Sequence, residues 1–299
     1  MSPKSSVSIG QFVPALFVLL WSTGFIGARM GAPYSEPMTF LTLRFGIVLA
    51  LLLPFSLLAK ARWPNPKSAF HAFVSGLMIH GIYLACVFWA IDDGMPAGLA
   101  ALVMGFQPVL TAFFARAILK ESITRNHIFG FILGLIGISL VLLPRLQGGA
   151  FSVTPTQIAA AICAVITISL GTIYQKRFAS NLDMRAATVW QYCAATLLCG
   201  GLSLLTETQT IEWTSEFLFA LAWLVLVLSI GAIFLLLWLI EFGAVSNIAA
   251  LFYMIPAVTA VISYLLFNEP ITLSQIVGIA ITATGVIIAS RASHSKTRT

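Results

Sequence analysis

The sequence predicts an all-α polytopic membrane protein with ten transmembrane helices, arranged as two inverted five-helix repeats. Three observations carry this. Hydrophobic residues make up 59% of the chain and charged residues 9%, against about 25% charged in soluble domains, and the mean hydropathy is +0.99. Apolar runs of about 20 residues, the length that crosses a bilayer, alternate with short polar connections. The stretch 101–137 is also written twice. Shifting the sequence by 148 residues lays it on 249–285, where Ala101, Pro108, Thr111, Ala112, Glu121, Ile123, Thr124, Ile128, Gly130 and Gly137 meet identical residues.

Taken in order, the spans read 12–31, 38–59, 70–91, 97–119, 128–144, 157–175, 186–205, 217–240, 246–267 and 272–290. Ala61 to Lys67, with Pro64 and Pro66, and Thr206 to Gln209 are tight polar connections; the longest runs from Leu143 to Thr154. The first span follows Lys4 and could be read as a secretory leader. Against this, a shift of 147 residues aligns Ser22, Gly24 and Phe45 with Ser169, Gly171 and Tyr192, and Arg29 with Lys176, so span 1 has a counterpart in mid-chain. Spans 4–5 and 9–10 hold the strictest copies, each with a central proline, a Glu-x-Ile-Thr turn and spaced glycines. Thr272 is placed to cap span 10 with Gln275 closing a capping box, and Thr124 with His127 does so less well. Gly94-x-x-x-Gly98 and Gly130-x-x-x-Gly134 read as close-packing devices. Each repeat, 1–148 and 149–299, holds five spans. An odd number of crossings makes the second enter the membrane from the opposite side, the usual plan of secondary transporters.

The net charge of +6 is distributed as membrane topology dictates, and calls for no nucleic acid. With a cytoplasmic N-terminus, the inner loops and tails hold Lys4, Lys60, Arg62, Lys67, Arg116, Lys120, Arg125, Lys176, Arg177, Arg185, Arg291, Lys296 and Arg298 out of sixteen basic residues. Arg29 and Arg145 fall near the outer face and Arg44 inside a span. This bias places both termini in the cytoplasm. Cys86, Cys163, Cys193 and Cys199 lie in apolar spans without metal-ligand spacing and read as small core residues. No cofactor or metal is expected.

Polar groups at membrane depth cost free energy unless they pair or face water, so they mark candidates. Pro108 and Pro256 free the carbonyls of Met104 and Phe252; these either line a wet cavity, a reading that Gln107 favours, or are satisfied by neighbouring helices. His80, Tyr83 and Val87 share one helix face, where His80 either meets a solute or bonds to a neighbour. Trp21, Tyr174, Trp190 and Tyr253 lie inside spans rather than in the interfacial belt, available for stacking on a ring-bearing solute or for core packing. Arg44, a basic residue deep in a span, either captures a substrate carboxylate or pairs with a polar neighbour to hold the halves together. No acidic residue sits at mid-span.

Leu20-Trp21-Ser22-Thr23-Gly24-Phe25, Pro37, Leu43-Arg44-Phe45, and the run from Ala100-Ala101-Leu102 through Pro108 to Lys120-Glu121-Ser122-Ile123-Thr124 with Gly130 and Gly137 resemble the EamA-type drug/metabolite transporters across essentially the whole chain. The look of the aromatic-rich spans is similar to bacterial aromatic amino acid exporters of the YddG type. The resemblance implies ten helices, residence in a bacterial inner membrane and export of small metabolites such as amino acids; a monomer is one expectation, which the sequence leaves open. The small four-helix relatives carry a membrane-embedded glutamate, which this sequence lacks. A nucleotide-sugar exchanger would call for paired cations, and an intramembrane enzyme for a nucleophile–base pair or clustered ligands; the sequence shows neither.

Overall fold

The computed structural model describes residues 13–120, 125–146, 152–232 and 254–294. These form ten helical stretches: α1 (Val13–Gly31), α2 (Pro37–Leu58), α3 (Pro66–Asp92), α4 (Ala97–Leu119), α5 (Arg125–Leu146), α6 (Pro155–Phe178), α7 (Met184–Thr206), α8 (Ser215–Ala222, continuing as Trp223–Ala232), α9 (Ile255–Phe267) and α10 (Leu273–His294). Of these, α2, α3, α4, α6 and α7 are long and apolar enough to cross a membrane by themselves; α1, α5, α8, α9 and α10 hold shorter apolar stretches. The expected boundaries agree within a few residues where the chain is described; the start of the ninth span and Glu121 to Thr124 lie outside the described residues.

Start signals explain the helix ends. Asn65 accepts the Ser68 N–H at 2.9 Å and opens α3, and Thr154 and Gln157 form a reciprocal capping box at α6. Thr272 accepts the Gln275 N–H at 3.2 Å, as expected for α10. Gly94 has φ +102°, so it belongs to the α3–α4 turn and not to a helix–helix seam.

Packing between α1–α5 and α6–α10 is reciprocal. α3 packs on α6 and α7 as α8 packs on α1 and α2; α4 packs on α6 as α9 packs on α1; α2 runs along α7, α4 along α9 and α5 along α10. The backbone agrees: the four non-glycine residues with positive φ among those described are Lys60 and Gln209, after α2 and α7, and Lys120 and Asn268, after α4 and α9. Lipid is as apolar as leucine, so such contacts rest on fit and interhelical hydrogen bonds rather than on water exclusion. Glycines supply the closest approaches. A Cβ at Gly137 would lie 2.7 Å from the Gly278 carbonyl oxygen, and one at Gly285 2.8 Å from that of Gly130, so α5 and α10 run antiparallel backbone to backbone.

At the end bearing Glu207, that carboxylate accepts the Met38 and Thr39 N–H groups, each at 2.7 Å, at the N-terminus of α2, while Glu36 accepts the Thr208 N–H at 2.8 Å. Anions there suit the positive helix end. The opposite end carries Asp183 and the basic loops, with Arg185 donating to the Ala59 carbonyl at 3.0 Å and Arg177 to the Ile118 carbonyl at 2.9 Å.

Candidate functional site

A cavity of about 140 Å3 lies midway along the bundle, close to the ~150 Å3 of an engineered apolar cavity that holds a benzene. It is bounded by α1 (Trp21, Gly24, Phe25), α2 (Arg44), α3 (Ile79, His80, Tyr83, Leu84, Val87, Phe88), α6 (Ile168), α7 (Tyr192) and α8 (Leu228, Ser229). Both five-helix sets contribute. Towards the Glu207 end, Phe40 packs against Phe88 and Phe217 at centroid distances of 5.7 and 5.1 Å, above fully buried Met95 and Leu99.

Two π-helical segments shape the walls: Leu77–Ile82 within α3 and Trp223–Ala232 in α8. A π-turn widens the helix and re-aims its side chains, and such turns concentrate at functional sites. Each is seated on a glycine of the opposite set. A Cβ at Gly171 would meet Met78 and Ile79 at 2.8 Å, and one at Gly24 would meet Leu228 at 3.0 Å. These are the two glycines aligned by the sequence repeat. The first segment presents His80, stacked on Tyr192 at 4.7 Å and 15°; the second presents Ser229.

Arg44 is 4% exposed. Its Nε and Nη2 donate to Ser229 Oγ at 3.3 and 3.2 Å, and its guanidinium carbon lies 5.7 Å from the Phe45 ring centre and 6.0 Å from that of Phe88. Ser229 belongs to the other helix set; Nη1 has no hydrogen-bond partner, and Arg44 forms no ion pair among the described residues. The ion pairs among the described residues are Arg29–Glu269 at 4.0 Å and Arg185–Asp183 at 2.7 Å, both near helix ends. A buried cation of this kind, in a mostly aromatic and aliphatic wall, is costly unless its charge is answered.

Of the residues singled out by sequence, Trp21, Arg44, His80 and Tyr83 come together around this cavity. Gln107, Tyr174 and Trp190 do not line it. Trp190 is 36% exposed on the outer surface of α7. Tyr174 lies towards the Asp183 end, where its hydroxyl meets His71 Nδ1 at 2.8 Å and its ring packs on Phe178. The Gln107 carbonyl accepts from Ser169 Oγ at 3.3 Å. Tyr253 and Phe252 lie outside the described residues.

Pro108 and Pro256 are also absent from the cavity wall. α4 breaks after Met104, and Pro108 starts its second half, Gln107–Leu119, where the missing N–H costs nothing; Pro256 starts α9 in the same way. Each aligned serine bonds a carbonyl of its own helix and also reaches the carbonyl just before the proline of the opposite set: Ser169 Oγ at Gln107, 3.3 Å, and Ser22 Oγ at Ile255, 3.4 Å. Gly105 lies against Pro256, placing these breaks in the α4–α9 seam.

Sequence reasoning missed Tyr192 and Ser229 as wall residues. Tyr192 had a signal in hand: its repeat partner is Phe45, beside Arg44. Ser229 had none, because a lone serine in a span satisfies itself cheaply on its own helix.

A polytopic helical bundle with a partly polar, arginine-bearing cavity at mid-depth, walled by two reciprocal helix sets, is the form of a membrane transporter. The chain belongs to the EamA-like transporter family, whose pattern it matches twice, over residues 8–143 and 156–291. It is 27% identical to the uncharacterized transporter YvbV of Bacillus subtilis, over 94% of this chain and 92% of that protein. It is 26% identical to a protein of Salmonella typhimurium described as a probable amino-acid metabolite efflux pump, over 93% of each, and 25% identical to one of the same description from Escherichia coli, over 91% of this chain and 92% of that protein. A solved crystal structure with 22% identity superposes with a TM-score of 0.65, covering 95% of this chain and 99% of that one, which speaks for the fold.

Proposed function

We propose that the protein exports small carboxylate-bearing metabolites with ring-sized apolar bodies, a class that includes aromatic and other large apolar amino acids, by alternating access between two inverted five-helix repeats, 1–148 and 149–299. The observation that carries this reading is Arg44, buried without an ion pair among the described residues in a wall of Trp21, Phe88, Tyr83 and Tyr192. A carboxylate answers the guanidinium, and a ring answers the aromatic wall. The description of the Salmonella and Escherichia relatives as amino-acid metabolite efflux pumps supports the same substrate class and the outward direction.

The reciprocal packing and the paired π segments support the inverted-repeat reading, and the basic loops at the Asp183 end support a cytoplasmic location for that end and both termini in a bacterial inner membrane. Proteoliposomes loaded with labelled phenylalanine or tryptophan should empty faster than protein-free ones, and cells overproducing the protein should tolerate toxic aromatic amino acid analogues. Movement of a sugar nucleotide with neither amino acid moving would transfer the assignment to the exchanger class.

A further inference from the structure

We infer that the cavity prefers a monoanionic carboxylate with an aryl or large alkyl body, such as a deaminated amino acid, over the zwitterionic amino acid of the same skeleton. This rests on the export reading above and narrows its substrate class. Arg44 contributes a full positive charge to the wall, its Nη1 lacks a partner, and among the described residues Ser229 is its sole hydrogen-bonded neighbour. Among the described residues the wall holds no carboxylate. A carboxylate entering from the solute therefore cancels the site's charge, and the complex is neutral in a low-dielectric region where an uncancelled charge is costly.

A zwitterion brings the same carboxylate with an ammonium group attached one carbon away. That ammonium loses its water, lies within a few ångströms of the guanidinium it repels, and meets hydroxyls and ring faces rather than an anion. Ring faces attract cations, but Phe45 and Phe88 already face Arg44. The cavity, at about 140 Å3, also leaves little space for an ammonium group to keep a water shell. Removal of the carboxylate is worse still, since a bare amine adds a second positive charge.

The test uses three ligands of one skeleton: 3-phenylpropionate, phenylalanine and phenethylamine. Their binding to the purified full-length protein in detergent is measured by titration calorimetry, alongside flux of the same three in proteoliposomes. The expected order is 3-phenylpropionate tighter than phenylalanine by about tenfold or more, with phenethylamine weakest. In Arg44→Gln the anion should lose at least tenfold while the amine does not weaken. The wild-type order stands as evidence even if that variant does not fold. Phenylalanine binding as tightly as 3-phenylpropionate, or an anion preference that survives in Arg44→Gln, overturns the inference and leaves export intact. Failure of all three to bind or move, while an unrelated solute moves, overturns the export reading and this inference together.

Discussion

The two π-helical segments occupy matching places in the two helix sets, yet they meet different partners. The α8 segment offers Ser229 to Arg44 of α2. The α3 segment and the turn before it face Gln191 of α7, which occupies Arg44's place in the repeat and donates to Ser75 Oγ at 3.2 Å. Backbone geometry is thus repeated while charge is not: one set contributes a cation, the other a neutral amide with a histidine. A strictly symmetric site would hold two guanidiniums or none. The scaffold comes from the repeat, and the chemistry comes from the place where the repeat is broken.

The harshest way to break this comparison is to restore its symmetry with a second cation. Gln191 is 6% exposed, so Gln191→Arg buries an unpaired charge near the first; a loss of about 3–5 kcal/mol is expected, a large part of the ~5–15 kcal/mol that holds a domain. Low yield and a much lower Tm in detergent should show it, and a normal Tm would mean that the α3–α7 crossing is wet. Restoring symmetry the other way, with Arg44→Gln, should leave the helices inserted and cut carboxylate binding by the ~1.5–3 kcal/mol of a charge-assisted hydrogen bond. Unaltered flux of every carboxylate tested would return Arg44 to a purely structural role.

Smaller effects are expected where the π segments are seated. Gly171→Leu forces a side chain against Met78 and Ile79, and overpacking of this kind costs about 1–3 kcal/mol. Gly24→Leu should cost less, because it meets only the flexible end of Leu228. Equal losses in Tm would show that the two seats are equally rigid.

The smallest effect concerns the aligned residues that open α2 and α7, Glu36 and Asp183. Arg185 donates to Asp183 at 2.7 and 3.0 Å and the Arg62 N–H at 3.0 Å, and together they hold its carboxyl below the usual carboxylate range. Asp183 therefore adds stability that is complete above the ordinary carboxylate value of about 4 and is lost as pH falls through its lower folded-state value. The Tm gap between the native protein and Asp183→Asn should stay level from neutral pH to about 5 and begin to close below about 4. A gap that widens on acidification would contradict the assignment.

Much of the fold was legible because the bilayer imposes length: a run of apolar residues closed by Pro64 and Pro66, or by Glu207, announces a helix. Arg44, His80, Tyr83 and Trp21 were legible because a charge, an imidazole or a wide ring at mid-span needs a reason to be there. Depth along a helix can be counted from the sequence, but the direction in which a residue points cannot. Trp190 and Tyr192 lie at nearly the same depth on α7, and two positions of rotation put one on the outer surface and the other in the cavity wall. The π segments were hidden for a related reason, since no glycine–proline signature announces them. The prolines announced a break in the chain, and that break lies in the α4–α9 seam rather than in the wall of the cavity.

The α5–α10 contact has one more consequence. Gly130 lies against Gly285 and Gly137 against Gly278, so each glycine faces the repeat counterpart of the other glycine on its own helix. Between separate subunits such a contact is called isologous: one patch, self-complementary, used twice about a two-fold axis. Two unfused five-helix chains, inserted the opposite way up, would present each other this same seam. On the proposed inverted-repeat reading, covalent linkage adds no new surface there; it fixes the ratio of the two orientations at one to one, and lets position 44 and position 191 carry different residues.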